Sequence, residues 1–161
     1  MTIKVGDKIP AVALKHMTPE GVQEVTTDEF FRGRKVVLFA VPGAFTPACS
    51  QRHLPGFVDK AIDIKARGID EVACTAVNDA FVLTAWSKDQ KAEGKVHMLA
   101  DGSADFARAL GLELDLSRNG LGTRSKRYSM LVDNGVVMAL NVEAQPGQVD
   151  VSSADAMLKA L

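Results

Sequence analysis

The chain has 161 residues, 47% hydrophobic and 24% charged, which suits a single domain over residues 1–161 with a sizeable buried core. A net charge of −1 gives no electrostatic case for nucleic acid or an anionic membrane, and no apolar run is long enough to span a bilayer. Two cysteines are too few for a disulfide framework, the three histidines lack zinc-ligand spacing, and the N-terminus has no leader composition, so the cytoplasm is the expected compartment.

In chain order, Ile9 to Leu14 and Val22 to Thr26 read as short strands around a turn containing Pro19 and Gly21. Thr26-Thr27-Asp28-Glu29 is a capping-box pattern ahead of a short helix that Gly33 ends. Lys35 to Val41 reads as a buried strand, and Pro47 to Arg67 as an amphipathic helix stopped by Gly68. Its expected packing face carries Leu54, Phe57, Val58, Ala61, Ile62 and Lys65, with a kink at Pro55. Glu71 to Val77 is a second buried strand. Asn78 or Asp79 caps the next helix, where core packing is the expectation for Phe81. Lys95 to Leu99 is a strand, Ser103 caps a helix over Ala104 to Leu110, and Glu113 to Thr123 is a loop with a short helical turn. Arg124 to Val132 and Val136 to Val142 are strands around the hairpin signal Asp133-Asn134-Gly135. Ser152 or Ser153 caps a C-terminal helix with Val151, Ala156, Met157 and Ala160 as packing candidates. Strands alternating with helices, then a hairpin and a helix, imply an α/β fold with a mixed central sheet flanked by helices.

The chemistry concentrates in Val41-Pro42-Gly43-Ala44-Phe45-Thr46-Pro47-Ala48-Cys49-Ser50, between the Lys35–Val41 strand and the following helix. Pro42 and Gly43 end the strand. Thr46 suits a helix N-cap and Pro47 the first helical position, which places Cys49 in the first turn. First-turn N–H groups without acceptors, and the positive end of the helix dipole, favour a thiolate over a thiol. A buried, inert cysteine beside a capped helix satisfies the same spacing.

Pro42-x-x-x-Thr46-x-x-Cys49 resembles the active-site signature of the peroxiredoxins. The fuller run, continued by His53-Leu54-Pro55-Gly56-Phe57, resembles their type II, peroxiredoxin-five-like branch. The resemblance extends from about Val5 to Leu161 and implies a thioredoxin-like fold with an added N-terminal β-hairpin. It also implies a thiol peroxidase acting on hydrogen peroxide and organic hydroperoxides, with no cofactor and no metal.

Peroxide reduction needs an ionised, accessible sulfur, a proton for the departing oxygen, and stabilisation of charge along the S–O–O line. Cys49 supplies the sulfur and becomes a sulfenic acid. The Thr46 hydroxyl both donates and accepts, which fits contact with the peroxide or thiolate as well as a plain cap. The resemblance maps the site arginine onto Arg127, directly before Tyr128-Ser129-Met130, and leaves Arg124 outside the first contacts. Pro42 would shield the sulfur. Phe45 is a candidate apolar wall, and His53, four residues after Cys49, either tunes the pocket or packs.

Some type II relatives carry a further cysteine near the C-terminus. Val149-Asp150-Val151-Ser152-Ser153 has none, and Cys74 lies mid-strand, where cysteines are usually buried and inert. The expectation is therefore no resolving cysteine and regeneration by an external thiol: glutathione and glutaredoxin, or thioredoxin. A redox-sensing interaction protein, switched by Cys49 oxidation without efficient turnover, is the alternative. The branch commonly forms homodimers through loops near the site. Phe45, Phe81 and Leu121 are candidate contacts here.

Overall fold

In the computed structural model, which describes Met1–Leu161, the chain opens with β1 (Ala13–Thr18), β2 (Gly21–Thr26), α1 (Thr27–Phe31) and β3 (Lys35–Ala40). A π-helical turn (Cys49–His53) then runs into α2 (Leu54–Lys65). Next come β4 (Glu71–Ala76), α3 (Ala80–Asp89), β5 (His97–Ala100), α4 (Asp105–Leu110) and β6 (Glu113–Leu116). The chain ends with β7 (Gly122–Ser125), β8 (Tyr128–Asp133), β9 (Val136–Val142) and α5 (Ala154–Ala160).

Seven strands form one mixed sheet in the order β2-β1-β5-β4-β3-β8-β9. The β3–β4 and β4–β5 pairs are parallel and the rest antiparallel, so β1–β2 is a hairpin added at one edge of an α/β thioredoxin-like core. Val36 to Ala40 have no exposure, because β3 is central and covered on both faces. On one face, Val37, Phe39 and Cys74 pack under α2, α3 and α5 through Phe57, Trp86 and Met157. On the other, Val36, Leu38 and Met130 meet Phe30 and Phe31 of α1 and Phe106 of α4. No helix is long and apolar enough to cross a membrane.

Local chemistry explains most element ends. Thr26 Oγ1 accepts from the Glu29 N–H at 3.1 Å, as the capping-box pattern requires. Asp79 and Ser153 cap α3 and α5. Asn134 and Gly135 both take positive φ, the two-residue turn that matches the twist of β8 and β9.

Several expectations are corrected. β1 begins at Ala13, not Ile9, since Ile9 donates to Gly135 O and Pro10 has no N–H for a ladder. The helix after Cys49 opens as a π-turn, with the Leu54 N–H on Cys49 O. Pro55 carries no N–H, so regular α pairing cannot pass through it, and the kink takes the form of this wide turn. Ile64 is buried on α2, while Ile62, about a third of a turn off the packing arc, is 74% exposed. Phe81 is 69% exposed, not core, because Ala80, Leu83 and Trp86 form the buried stripe of α3. Ser103 does not cap α4. Asp101 accepts from the Phe106 and Ala107 N–H groups instead, each at 2.9 Å. The segment read as a loop after Glu113 forms the β6–β7 hairpin around a 3-10 turn at Ser117–Asn119. The strand expected from Arg124 breaks at Lys126 and Arg127, where the chain passes from that hairpin to the main sheet. Ala154 and Met157 bury against α2 in α5, whereas Val151 is exposed.

The C-terminus of α4 places a sharp steric demand on one glycine. Gly111 has φ +70, and a Cβ there would lie 2.5 Å from Met1 O and 2.9 Å from Thr2 Cα. Backbone cannot yield as a side-chain tip can, and the conformation itself disfavours any Cβ. Gly111→Ala is expected to lower the unfolding free energy by about 2–4 kcal/mol, read by urea titration. A wild-type midpoint would show that the N-terminal segment is not packed there.

Candidate active site

β3 and β8 are antiparallel neighbours, with Ala40 opposite Tyr128. The chain leaving the end of β3 and the chain entering the start of β8 therefore meet at the same end of the two strands. The first delivers Pro42 to Cys49 and the second delivers Arg127.

The turn after β3 is tightly specified. Thr46 Oγ1 lies 2.7 Å from Gly43 O, within hydrogen-bond reach, and Ala44 N donates to Asn78 Oδ1 at 2.9 Å. Phe45 adopts φ 65, a left-handed conformation that is costly for an aromatic residue. It turns Thr46 back over the first helical turn. A Cβ on Gly43 would lie 2.8 Å from Arg124 Nη1 and 3.2 Å from Thr46 Cγ2. Arg124 occupies this space, donating to Pro42 O at 3.3 Å and Leu121 O at 2.9 Å. Trp86 Nε1 donates to Ser50 Oγ at 2.9 Å and ties α3 to the π-turn.

Cys49 Sγ lies 3.1 Å from the donor Arg127 Nη2 and 2.9 Å from Thr46 Oγ1, whose single proton goes either to this sulfur or to Gly43 O. Arg127 is buried, and no carboxylate lies within salt-bridge distance of it. Its remaining contacts are neutral: Nε donates to Pro146 O and Nη1 to His53 Nδ1, both at 2.9 Å. A buried guanidinium needs a counter-charge, and Cys49 is the one group bonded to it that can carry a negative charge.

Arginine has no acceptor, so His53 Nδ1 must accept, and its Nε2–H donates to Ser152 O at 2.9 Å. Burial first, then the Arg127 charge, pushes the His53 imidazole down to about 3. It is neutral at physiological pH, with its tautomer set by its partners. Cys74 is buried in the same core, and burial pushes its thiol well above the ordinary cysteine value.

Of the residues singled out in the sequence, Cys49, Thr46, Arg127 and His53 form one hydrogen-bonded cluster. Pro42 is buried beside it with its carbonyl on Arg124. Phe45 is 53% exposed and joins none of these bonds. The sulfur expected to be accessible has 0% exposure, covered by its own turn and by the arginine that holds it. Pro146, Ser152 and Glu143 were missed. Two contribute backbone carbonyls, which no side-chain pattern announces, and Glu143 lies at the end of a strand without a motif.

The Redoxin family model matches residues 4–158. Peroxiredoxin-2E-2, chloroplastic, of Oryza sativa subsp. japonica is 52% identical over 99% of this chain and 73% of that protein. The chain belongs to the peroxiredoxins. Peroxiredoxin-2E, chloroplastic, of Arabidopsis thaliana is 51% identical over 99% of this chain and 70% of that protein, which places this peroxiredoxin in the type II branch. The structure of reduced Prx3 from Vibrio vulnificus in complex with H2O2 superposes with a TM-score of 0.95, 51% identity and 99% coverage of both chains. This peroxiredoxin is accordingly a thiol peroxidase acting on peroxides. The two plant relatives correct the expected cytoplasmic compartment, for both are chloroplastic proteins. That residues 1–7 lack leader composition does not assign a compartment.

A neutral buried histidine makes stability depend on pH. The unfolded chain protonates His53 near its ordinary 6.5, the folded chain only near 3, so stability falls as pH drops through that window. The loss is at most about 1.4 kcal/mol per pH unit. Thermal midpoints are expected to fall from pH 6.5 to 4, and less steeply in His53→Gln. Identical slopes in both proteins would refute the assignment.

Proposed function

We propose that Cys49 is the peroxidatic nucleophile of this thiol peroxidase, that Thr46 and Arg127 hold its thiolate and the peroxide, and that Pro42 shields it. The convergence of Thr46 Oγ1 and Arg127 Nη2 on Cys49 Sγ carries the assignment. The thiolate attacks one peroxide oxygen. An S–O bond forms, the O–O bond breaks, and the departing oxygen takes a proton to leave as water or an alcohol. Sulfur is oxidised to sulfenic acid while the peroxide is reduced. Donors already aimed at the sulfur need little reorganisation as charge spreads onto the incoming and leaving oxygens. Lysine in place of Arg127 cannot serve Pro146 O, His53 Nδ1 and Cys49 Sγ together. Arg127→Lys should therefore lower the rate constant for peroxide about 100-fold in stopped-flow assays.

The sulfenic acid is regenerated by external thiol. One thiolate displaces water to give a mixed disulfide, and a second releases Cys49 with formation of a disulfide between the reductants. Glutathione with glutaredoxin is the proposed reductant, with thioredoxin the other candidate. Support comes from Cys74, whose buried, hard-to-ionise thiol is poorly suited to resolve Cys49. A peroxide is small, but a thiol reductant must reach a sulfur with no exposure. The short π-turn, less regular than an α-helix, is the element whose opening would admit it.

A homodimer is also proposed. Phe45, on the turn after β3, and Phe81, in the first turn of α3, are both exposed, and the Ala44–Asn78 hydrogen bond joins the segments that carry them. Phe81→Asp should shift the sedimentation coefficient of the protein to that of a monomer. An unchanged value would place any interface elsewhere.

The decisive assay follows peroxide consumption by wild type, Cys49→Ser and Cys74→Ser with each reductant supplied separately. Cys49→Ser should be inactive and Cys74→Ser nearly unaffected. Turnover by Cys49→Ser would reject the site. A Cys49–Cys74 disulfide as the main product by mass spectrometry would reject the external-thiol cycle.

A further inference from the structure

We propose that Glu143 is a positioning residue for the peroxidase reaction, acting on Arg127 through the loop it closes. The loop runs from the end of β9 to the cap of α5. Glu143 Oε2 accepts from the Asp150 N–H at 2.7 Å, the Ser152 N–H at 2.8 Å and the Ser152 hydroxyl at 2.6 Å. One carboxylate oxygen thus joins the loop's beginning to its end. The Glu143 N–H also donates to Arg127 O at 2.9 Å, which registers the loop against the arginine's own backbone.

Two carbonyls of this closed loop set the guanidinium. Pro146 O accepts directly from Arg127 Nε. Ser152 O accepts from His53 Nε2, which leaves Nδ1 free to accept from Arg127 Nη1. Two of the three oriented donors of Arg127 therefore depend on the loop, and the third is the one on Cys49 Sγ. Guanidinium is planar, so holding two of its edges sets the direction of the third. Arg52 Nη2 on Gly147 O is a further anchor, but at the exposed side of the loop. Burial alone would push the Glu143 carboxyl up. The Ser152 hydroxyl and N–H and the Asp150 N–H outweigh it and hold the group below its usual range, so the staple stays charged at neutral pH.

Releasing the staple should do two things at once. Arg127 loses its aim at the sulfur, and His53 regains access to water and with it an ordinary tendency to protonate. Protonated His53 has no lone pair for Arg127 Nη1 and places a second cation against it. A purely structural residue would slow the reaction at every pH alike.

The role rests on Cys49 being the nucleophile, and the two readings fail separately. Turnover by Cys49→Ser defeats the site, whereas a wild-type-like Glu143→Ala defeats only the positioning role. The test is the rate constant of Cys49 oxidation by hydrogen peroxide from pH 5 to 8, by stopped flow. Glu143→Ala should be at least about tenfold slower, as expected for a misaimed catalytic group. It should also gain an acid limb near the ordinary histidine range, over and above whatever pH dependence wild type shows, and Glu143→Ala/His53→Gln should lose that limb. Glu143→Gln keeps an acceptor oxygen and should stay within about threefold of wild type without the limb. A folded Glu143→Ala with the wild-type profile, or a uniform loss without the limb, overturns the proposal. Should Glu143→Ala not fold, Ser152→Ala removes one of the three donors and should show a weaker form of the same limb. A wild-type profile there is equally decisive against it.

Discussion

The contact between the Arg127 guanidinium and the Cys49 sulfur is the constraint around which this end of the molecule is built. A cation with almost no exposure and no carboxylate partner would be a large liability in a protein interior. It is tolerable here because each of its oriented donors has an acceptor, and because one acceptor can carry the opposite charge. The same contact that offsets burying the arginine holds the sulfur in place.

The fold supplies this contact by topology. Cys49 and Arg127 are far apart in the chain, yet β3 and β8 pair so that their site-proximal ends coincide. Around that meeting point the backbone departs from regularity. Phe45 is left-handed, the helix opens as a π-turn, and β8 is separated from β7 by the two residues that carry Arg127 inward. Such departures concentrate where side chains must be aimed in a direction that regular elements do not offer. They are supported from outside by ordinary packing: Trp86 on Ser50, Arg124 under Pro42, and Phe39 stacked on Phe57 with His53 against both rings.

His53 shows how burial can serve positioning. It is surrounded by aromatic rings and by a cation, both of which keep it neutral, and neutrality gives it the lone pair that Arg127 requires. Its second nitrogen then has one acceptor within reach, the carbonyl of Ser152. The ring acts as a rigid spacer between a loop backbone and the Arg127 guanidinium.

The sequence by itself determined the strand–turn–helix setting of Cys49, the mixed sheet with an added hairpin, and most caps. Thr26, Asp79, Ser153 and the Asn134-Gly135 turn are legible because each acts within a few residues of itself. It also pointed to Arg127, through likeness to a family. Spacing could not choose between Arg127 and Arg124, which both end near the same turn but touch different atoms. Tertiary structure alone decided the burial of Cys49, the exposure of Phe81, and the partners of His53 and Glu143. Periodicity reports which way a side chain leaves its own element. Those outcomes depend on what another element, many residues away, brings to meet it.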